Sequence, residues 1–208
     1  KRFFVFSQNL IDYMIKTLWV ETPEVAGFRW TSLEKDQVTN YYRISTENNI
    51  SAYAAIREFE KVSGKNDVYV HYKNKIEEFV KNSYLSDKGL FSAGYHLKEH
   101  RFSDLTPSDV PPWAILVFGK DKLASWGIKT TDLLEKATSV FGIDTKYNLG
   151  GKHNLEIYGY DSIDEKGASR EKFTNHDKLY KFRNENKRMV MYEWSLFYVL
   201  ANGNDSEE

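Results

Sequence analysis

The stretch STENNISAYAAIREFEKVSGKNDVYVHYKNKIEEFVKN, residues 45–82, decides the fold. Ala52, Ala55, Ile56, Phe59 and Val62 recur at helical spacing; Ser45 or Thr46 can cap the start, and Ser63 and Gly64 stop the run. After Lys65 and Asn66 a second run places Tyr69, Tyr72, Ile76, Phe79 and Val80 on one face, with Lys and Glu opposite. So short a connection makes the two helices an antiparallel hairpin.

Working outward, Leu10, Ile11, Met14, Ile15 and Leu18 give a helix from Ser7 to Trp19, with Ser7 available as its cap. Pro23, Gly27 and the stretch to Asn40 read as loop or short strands anchored by Phe28 and Trp30. Ser86 to Gly89 is turn chemistry, and Leu90 to His96 reads as a small strand pair. Asp109 opens a short helix with Pro111 and Pro112 in its first turn, running through Trp113 to Phe118 and ended by Gly119. Thr131 to Phe141, with Leu133, Leu134, Ala137 and Val140, forms another helix closed by Gly142, and these two pair as a second hairpin. Leu155, Ile157 and Tyr160 alternate as in a strand, and the polar, turn-rich run from Asp161 to Asn186 reads as a surface excursion. The last helix, Arg188 to Ala201, is apolar nearly all round, which implies burial on most sides, and Asn202 to Glu208 reads as a disordered tail. The expectation is a mainly α chain, one α/α-hairpin domain over residues 1–201 with short β excursions.

Composition narrows the function classes. With 29 basic and 30 acidic residues, no net field steers the chain toward nucleic acid or an anionic membrane. The absence of cysteine excludes disulfides, thiolate metal sites and cysteine nucleophiles, and fits the cytoplasm as well as a cell-envelope or secreted location. The longest apolar stretch, Met189 to Ala201, contains Glu193 and is too short to span a bilayer. Five Trp, 14 Tyr and 13 Phe make the chain aromatic, and such rings suit both core packing and stacking on sugars.

The run Ser45-Thr46-Glu47-Asn48-Asn49-Ile50-Ser51-Ala52-Tyr53-Ala54-Ala55 resembles the S-T-E-H-N-[LI]-D-A-Y-A-A helix opening of bacterial six-hairpin, or (α/α)6-toroid, glycosidase-like proteins. Asn48 and Ser51 stand where those proteins carry His and Asp. Asp109-Val110-Pro111-Pro112-Trp113-Ala114-Ile115-Leu116 looks like their L-D-x-Q-x-W-x-[IL]-L helix start, and Met191-Tyr192-Glu193-Trp194-Ser195-Leu196 looks like their late E-[WG]-[TS] helix, whose Glu faces the central cavity. In order, the three pieces cover roughly residues 28 to 201. The resemblance implies a carbohydrate-active domain, glycoside hydrolase-like, working on an oligo- or polysaccharide by carboxylate acid/base chemistry without a cofactor. A full toroid has twelve helices and this chain supplies about half. A second chain or a missing segment then completes the ring, or a half-toroid uses its concave face differently.

Within that frame Glu193, Glu47 and Asp109 are the candidate acids and bases, and Trp30, Tyr42, Asn48, Tyr53, Trp113 and Trp194 the candidate sugar contacts. Each has a plainer reading. An acid in a helix's first turn complements the helix dipole, and each ring taken singly is more often a core residue than a sugar contact. Glu193 is flanked by Met189, Val190, Met191, Tyr192, Trp194, Leu196 and Phe197, so its carboxylate must be paired, protonated or turned to a polar cavity, with Arg29 or Arg43 as possible ion-pair partners. His96 and His100 are four apart but lack the H-E-x-x-H order, so no metal is assigned; Gly150-Gly151 reads as a turn. The alternatives to hydrolysis are a non-catalytic carbohydrate-binding domain and a helical protein-interaction or scaffold domain.

Overall fold

Residue 45 is where the backbone turns from strand to helix. In the computed structural model, which describes residues 2–32, 41–64, 66–148, 154–160 and 192–205, Ser45 holds extended dihedrals and its Oγ accepts the Asn48 N–H at 3.2 Å. That satisfies one of the orphan donors of helix α2, Thr46–Ser63. Gly64, at φ +84°, ends it by returning its N–H to the Glu60 carbonyl. Asn66 then accepts from Val68 N at 3.0 Å and starts α3, Asp67–Asn82. Tyr53 pairs with Glu77 and Glu60 with Lys73, so partners descend one helix as they ascend the other. This is the expected antiparallel hairpin.

Its buried seam differs from the apolar stripe of the sequence. Ala52 and Ile56 are buried, but Ala55 and Val62 face solvent, and Asn49, Ile50 and Glu60 take their places. The polar members are admitted because they carry partners: Glu60 meets Lys73, and Asn49 bonds to backbone. On α3 the stripe holds, with Tyr69, Ile76, Phe79 and Val80 buried. Each large apolar side chain sequestered here contributes roughly 1.5–3 kcal/mol.

Helix α1, Arg2–Leu18, begins five residues before the expected start. Ser7 is therefore no cap; its hydroxyl lies inside the helix and donates to the Phe3 carbonyl at 2.9 Å. Buried Ile11, the Phe4–Phe59 ring contact at 5.0 Å and the bond from Tyr69 Oη to Asp12 at 2.7 Å seat α1 on the hairpin. Burial, reinforced by Asp12, pushes the Tyr69 hydroxyl up to about 12.

Short antiparallel strands follow: β1 (Trp19–Glu21), β2 (Ala26–Phe28), β3 (Arg43–Ser45), β4 (Tyr84–Leu85), β5 (Leu90–Phe91), β6 (Gly94–His96) and β7 (Arg101–Phe102). β1 pairs with β2, and β3, β6 and β7 form a three-stranded sheet. One bridge, Arg29 to Ile44, joins β2's continuation to β3. The 90–96 segment is thus strand-forming as expected, yet β6 finds its partners in β3 and β7 and not in β5.

Contacts divide the chain into two compact units, Lys1–Asp87 with Phe91–Asp104, and Lys88–Leu90 with Leu105–Glu208. The second unit opens with α4, Val110–Ser125, which carries the two prolines in its first turn. Its backbone breaks at Gly119, φ +76° and ψ +165°, where the sequence places the helix end; a further helical piece then resumes to Ser125. Only glycine holds that conformation comfortably, and no atom lies within 4 Å of where a Cβ would stand. Gly119→Ala is therefore expected to cost about 1–3 kcal/mol from backbone strain alone, read as a lower urea midpoint with an unchanged slope.

Helix α5, Thr130–Phe141, buries Leu133, Leu134, Ala137 and Phe141 and packs on α4 as the second hairpin. Gly142 closes it with extended dihedrals and at once begins β8, Gly142–Asn148, which pairs in register with β9, Asn154–Tyr160. Sequence alternation marks β9 alone. Helix α6, Tyr192–Asp205, continues past Ala201 through part of the expected tail. It is not buried on most sides: Tyr198 and Ala201 are covered while Leu196, Val199 and Leu200 are exposed. The surface excursion over Asp161 to Asn186, the start of the last helix at Arg188, and Met191 lie outside the described residues. Among the described residues the chain is mainly helical, with six helices, and none is long and apolar enough to cross a membrane.

Candidate functional site

Antiparallel register determines which side chains share a face. Residues directly opposite one another point the same way. Arg43 faces His96, and His96 faces Arg101. Beyond the Arg29–Ile44 bridge, Trp30 N donates to the Arg43 carbonyl at 2.9 Å, which sets Trp30 opposite Arg43. Trp30, Arg43, His96 and Arg101 thus form one row across four chain segments of the first unit. The neighbouring row, Ile44, Tyr95 and Phe102, turns the other way and packs on α3 through the Phe79–Phe102 contact at 5.7 Å. One face of the sheet is core; the other carries a ring and three cation-capable groups.

The exposed row is unevenly solvated. Trp30 is 44 % exposed. Arg43 is half-buried, its Nε has no hydrogen-bond partner, and burial pulls the guanidinium below its usual value against the pull of Glu99. His96 Nδ1 lies 3.7 Å from Glu99, which also pairs with Arg101 at 2.8 Å. Guanidinium groups beside an open indole are suited to a polar ligand with an apolar face. Along the edge, the Arg29 guanidinium sits 4.3 Å from the centre of the Tyr41 ring and the Lys98 ammonium 3.7 Å from that of Tyr42, both as cation–π contacts.

Of the sequence-derived candidates, Trp30 belongs to this row, Tyr42 is the chain neighbour of Arg43, and Glu47 and Asn48 lie in the first turn of α2. Glu47 is exposed in the first turn, and Asn48 Nδ2 donates to the Arg29 carbonyl at 3.4 Å. Tyr53 is engaged within the hairpin instead. Its half-buried hydroxyl donates to Glu77 at 2.7 Å, and burial with that carboxylate raises its pKa well above the usual tyrosine value. Sequence does not single out Arg43, His96 and Arg101 as a site. No local signal marks them, because the row exists only through pairing of strands two or three residues long.

Asp109, Trp113 and Glu193 belong to the second unit. Asp109 is buried at the N-cap of α4, and Trp113, one turn on, stacks on Phe197 of α6 at 5.0 Å. Glu193 lies one turn before Phe197, so each acid sits four residues before one member of the stacked pair. Glu193 is exposed, contrary to the burial its apolar neighbours suggest. Those neighbours are adjacent along the chain, not around the carboxylate, which therefore needs no ion-pair partner such as Arg29 or Arg43. The Trp194 side chain lies outside the described residues.

The first unit also holds an open pocket, about 430 Å³ including its mouth, over Phe79, Phe102 and Tyr95. Glu24 on its rim accepts from His100 Nδ1 at 2.6 Å. Among the described residues no group of three or more His, Asp or Glu is placed to hold a metal ion.

The chain matches no protein-family model, no curated protein and no solved structure.

Proposed function

We propose that this chain binds an oligo- or polysaccharide on the Trp30–Arg43–His96–Arg101 face, within an α/α-hairpin architecture akin to half of a six-hairpin toroid. One observation carries the reading: a 44 % exposed indole shares a row with two guanidinium groups and an imidazole. A pyranose has an apolar C–H face and a rim of hydroxyls. The first stacks on an indole, and the second accepts from guanidinium and imidazole N–H groups. Asn48, in the first turn of α2, offers a further amide beside the row.

Binding without hydrolysis is the simpler form of the proposal, because the row contains no carboxylate pair. The second reading, glycoside hydrolysis, is favoured by Asp109 and Glu193, each four residues before one ring of the Trp113–Phe197 stack, one acid buried and the other solvated. Two carboxyls in contrasting surroundings are what divided acid and base roles require.

A glycan-array hit followed by calorimetry separates the two. Trp30→Ala is expected to weaken binding at least about tenfold, some 1.4 kcal/mol, while Glu193→Gln binds as wild type and no product forms with either. Undiminished affinity in Trp30→Ala removes the proposal; product release that disappears in Glu193→Gln establishes the hydrolytic reading in its place.

A further inference from the structure

Helix α1 has two apolar faces, and its contacts with the hairpin use only one. Phe4 meets Phe59 of α2, Asp12 accepts from Tyr69 of α3, and Ile11 is buried. On the other side Phe3, Phe6, Leu10 and Tyr13 are 88, 66, 48 and 62 % exposed. We propose that this face is the contact between two copies of the chain, with α1 lying antiparallel against α1 across a two-fold axis.

The spacing argues for a helix as the occupant. Steps of three, four and three residues follow the a/d seam of packed helices. They also read the same in both directions, so an antiparallel copy sets Phe3 against Tyr13 and Phe6 against Leu10, the self-complementarity an isologous interface demands. Ser7, Asn9 and Met14 flank the seam without charge, and the register that sets Phe3 against Tyr13 places position 2, the flanking Arg2, opposite Met14 and not opposite its own copy, so like charges are kept apart. A lipid surface is the poorer fit, because the helix's charges are Arg2, Asp12 and Lys16 and not the basic polar face of interfacial helices.

Area sets the strength. The exposed fractions leave roughly 500 Å² of apolar side chain in water per copy. A pair buries at most about 1,000 Å², which places the contact at the weak, reversible end of specific interfaces, with roughly micromolar or weaker association.

Sedimentation equilibrium of the full chain from about 1 μM to about 200 μM spans the dissociation of such an interface. The expected result is a monomer–dimer equilibrium that Phe6→Glu and Tyr13→Lys each weaken at least about tenfold. Both replace exposed side chains, so helicity by circular dichroism stays at the wild-type level. Val62→Glu, at an 80 % exposed position on α2, leaves the dimer intact. A wild-type chain that stays monomeric over this range overturns the proposal, as does a dimer indifferent to both seam variants. Monomers that pellet with phosphatidylcholine–phosphatidylserine vesicles overturn it too, by assigning the face to lipid.

Discussion

Gly94→Ala is expected to unfold the sheet of the first unit, lowering stability by about 3 kcal/mol or more. A Cβ at this position stands 2.0 Å from the Ile44 carbonyl oxygen and 3.3 Å from Ser45 Cα. These are backbone atoms of the paired strand, so no rotamer change relieves the overlap. Ile44 is itself fully buried and cannot retreat into solvent. The β3–β6 pairing must part, and with it the alignment of Arg43 with His96. For a unit of about a hundred residues this amounts to a Tm lower by roughly 12 °C or more, measurable by calorimetry. A variant melting within two or three degrees of wild type (about 0.5 kcal/mol) contradicts the strand register described above.

The second large effect is expected at Asn49. Its side chain is fully buried and works as a substitute strand: Oδ1 accepts the Phe28 N–H at 2.9 Å, and Nδ2 donates to the Phe28 carbonyl at 3.1 Å and to the Ser45 carbonyl at 2.6 Å. Both polar groups of buried Phe28 depend on this one amide, and Asn49→Ala strands them away from water. At about 1–3 kcal/mol for each unsatisfied group, the loss is about 3–5 kcal/mol. Asn49→Asp distinguishes hydrogen bonding from packing, since it keeps the shape and the acceptor but removes the donor and faces a carboxylate toward two carbonyl oxygens. It is expected to be at least as damaging as alanine at pH 7. Urea denaturation reads both, and an aspartate variant as stable as wild type rules the bonding account out. Gly27 belongs to the same arrangement: a Cβ there meets Asn49 Oδ1 at 2.9 Å and Ile44 Cγ2 at 2.7 Å.

Asn49 also shows what the sequence can and cannot convey. It lies inside the motif that resembles the toroid glycosidases, yet that motif points to its neighbours Glu47, Asn48 and Tyr53 as the functional residues. Its importance comes from Phe28, whose backbone reaches it only after the chain has folded. Ser45 as cap, the hairpin of α2 and α3, and the break at Gly119 are legible because their causes are local: a side chain accepting from the next turn, a short connection, a backbone only glycine adopts. The sheet is not, since strands of two or three residues carry no periodicity and their pairing is settled by distant partners. The Trp30–Arg43–His96–Arg101 row inherits that illegibility. Trp30 is a candidate from sequence, but what stands beside it is not.

Glu193 teaches the converse. Apolar neighbours along a helix do not enclose a carboxylate, because successive residues point about 100° apart. Leu196, Val199 and Leu200 are exposed on the same helix, so hydrophobicity on all sides does not mean burial on all sides. The start of α1 is misplaced in the sequence reading for a related reason: the uncovered seam of Phe3, Phe6, Leu10 and Tyr13 lies off the core-facing stripe that sets the expected boundary.

The central claim, a sugar held on Trp30, is tested most directly by the tryptophan indole ¹⁵N–¹H resonances of the full chain during titration with an array-selected glycan. The chain has five Trp residues and therefore five such signals, and Trp30→Phe identifies the one of interest by its disappearance. The expected result is a saturable shift of the Trp30 signal, with that of Trp113 unmoved. A glycan that shifts Trp113 and leaves Trp30 in place, or no glycan that shifts either, contradicts the account.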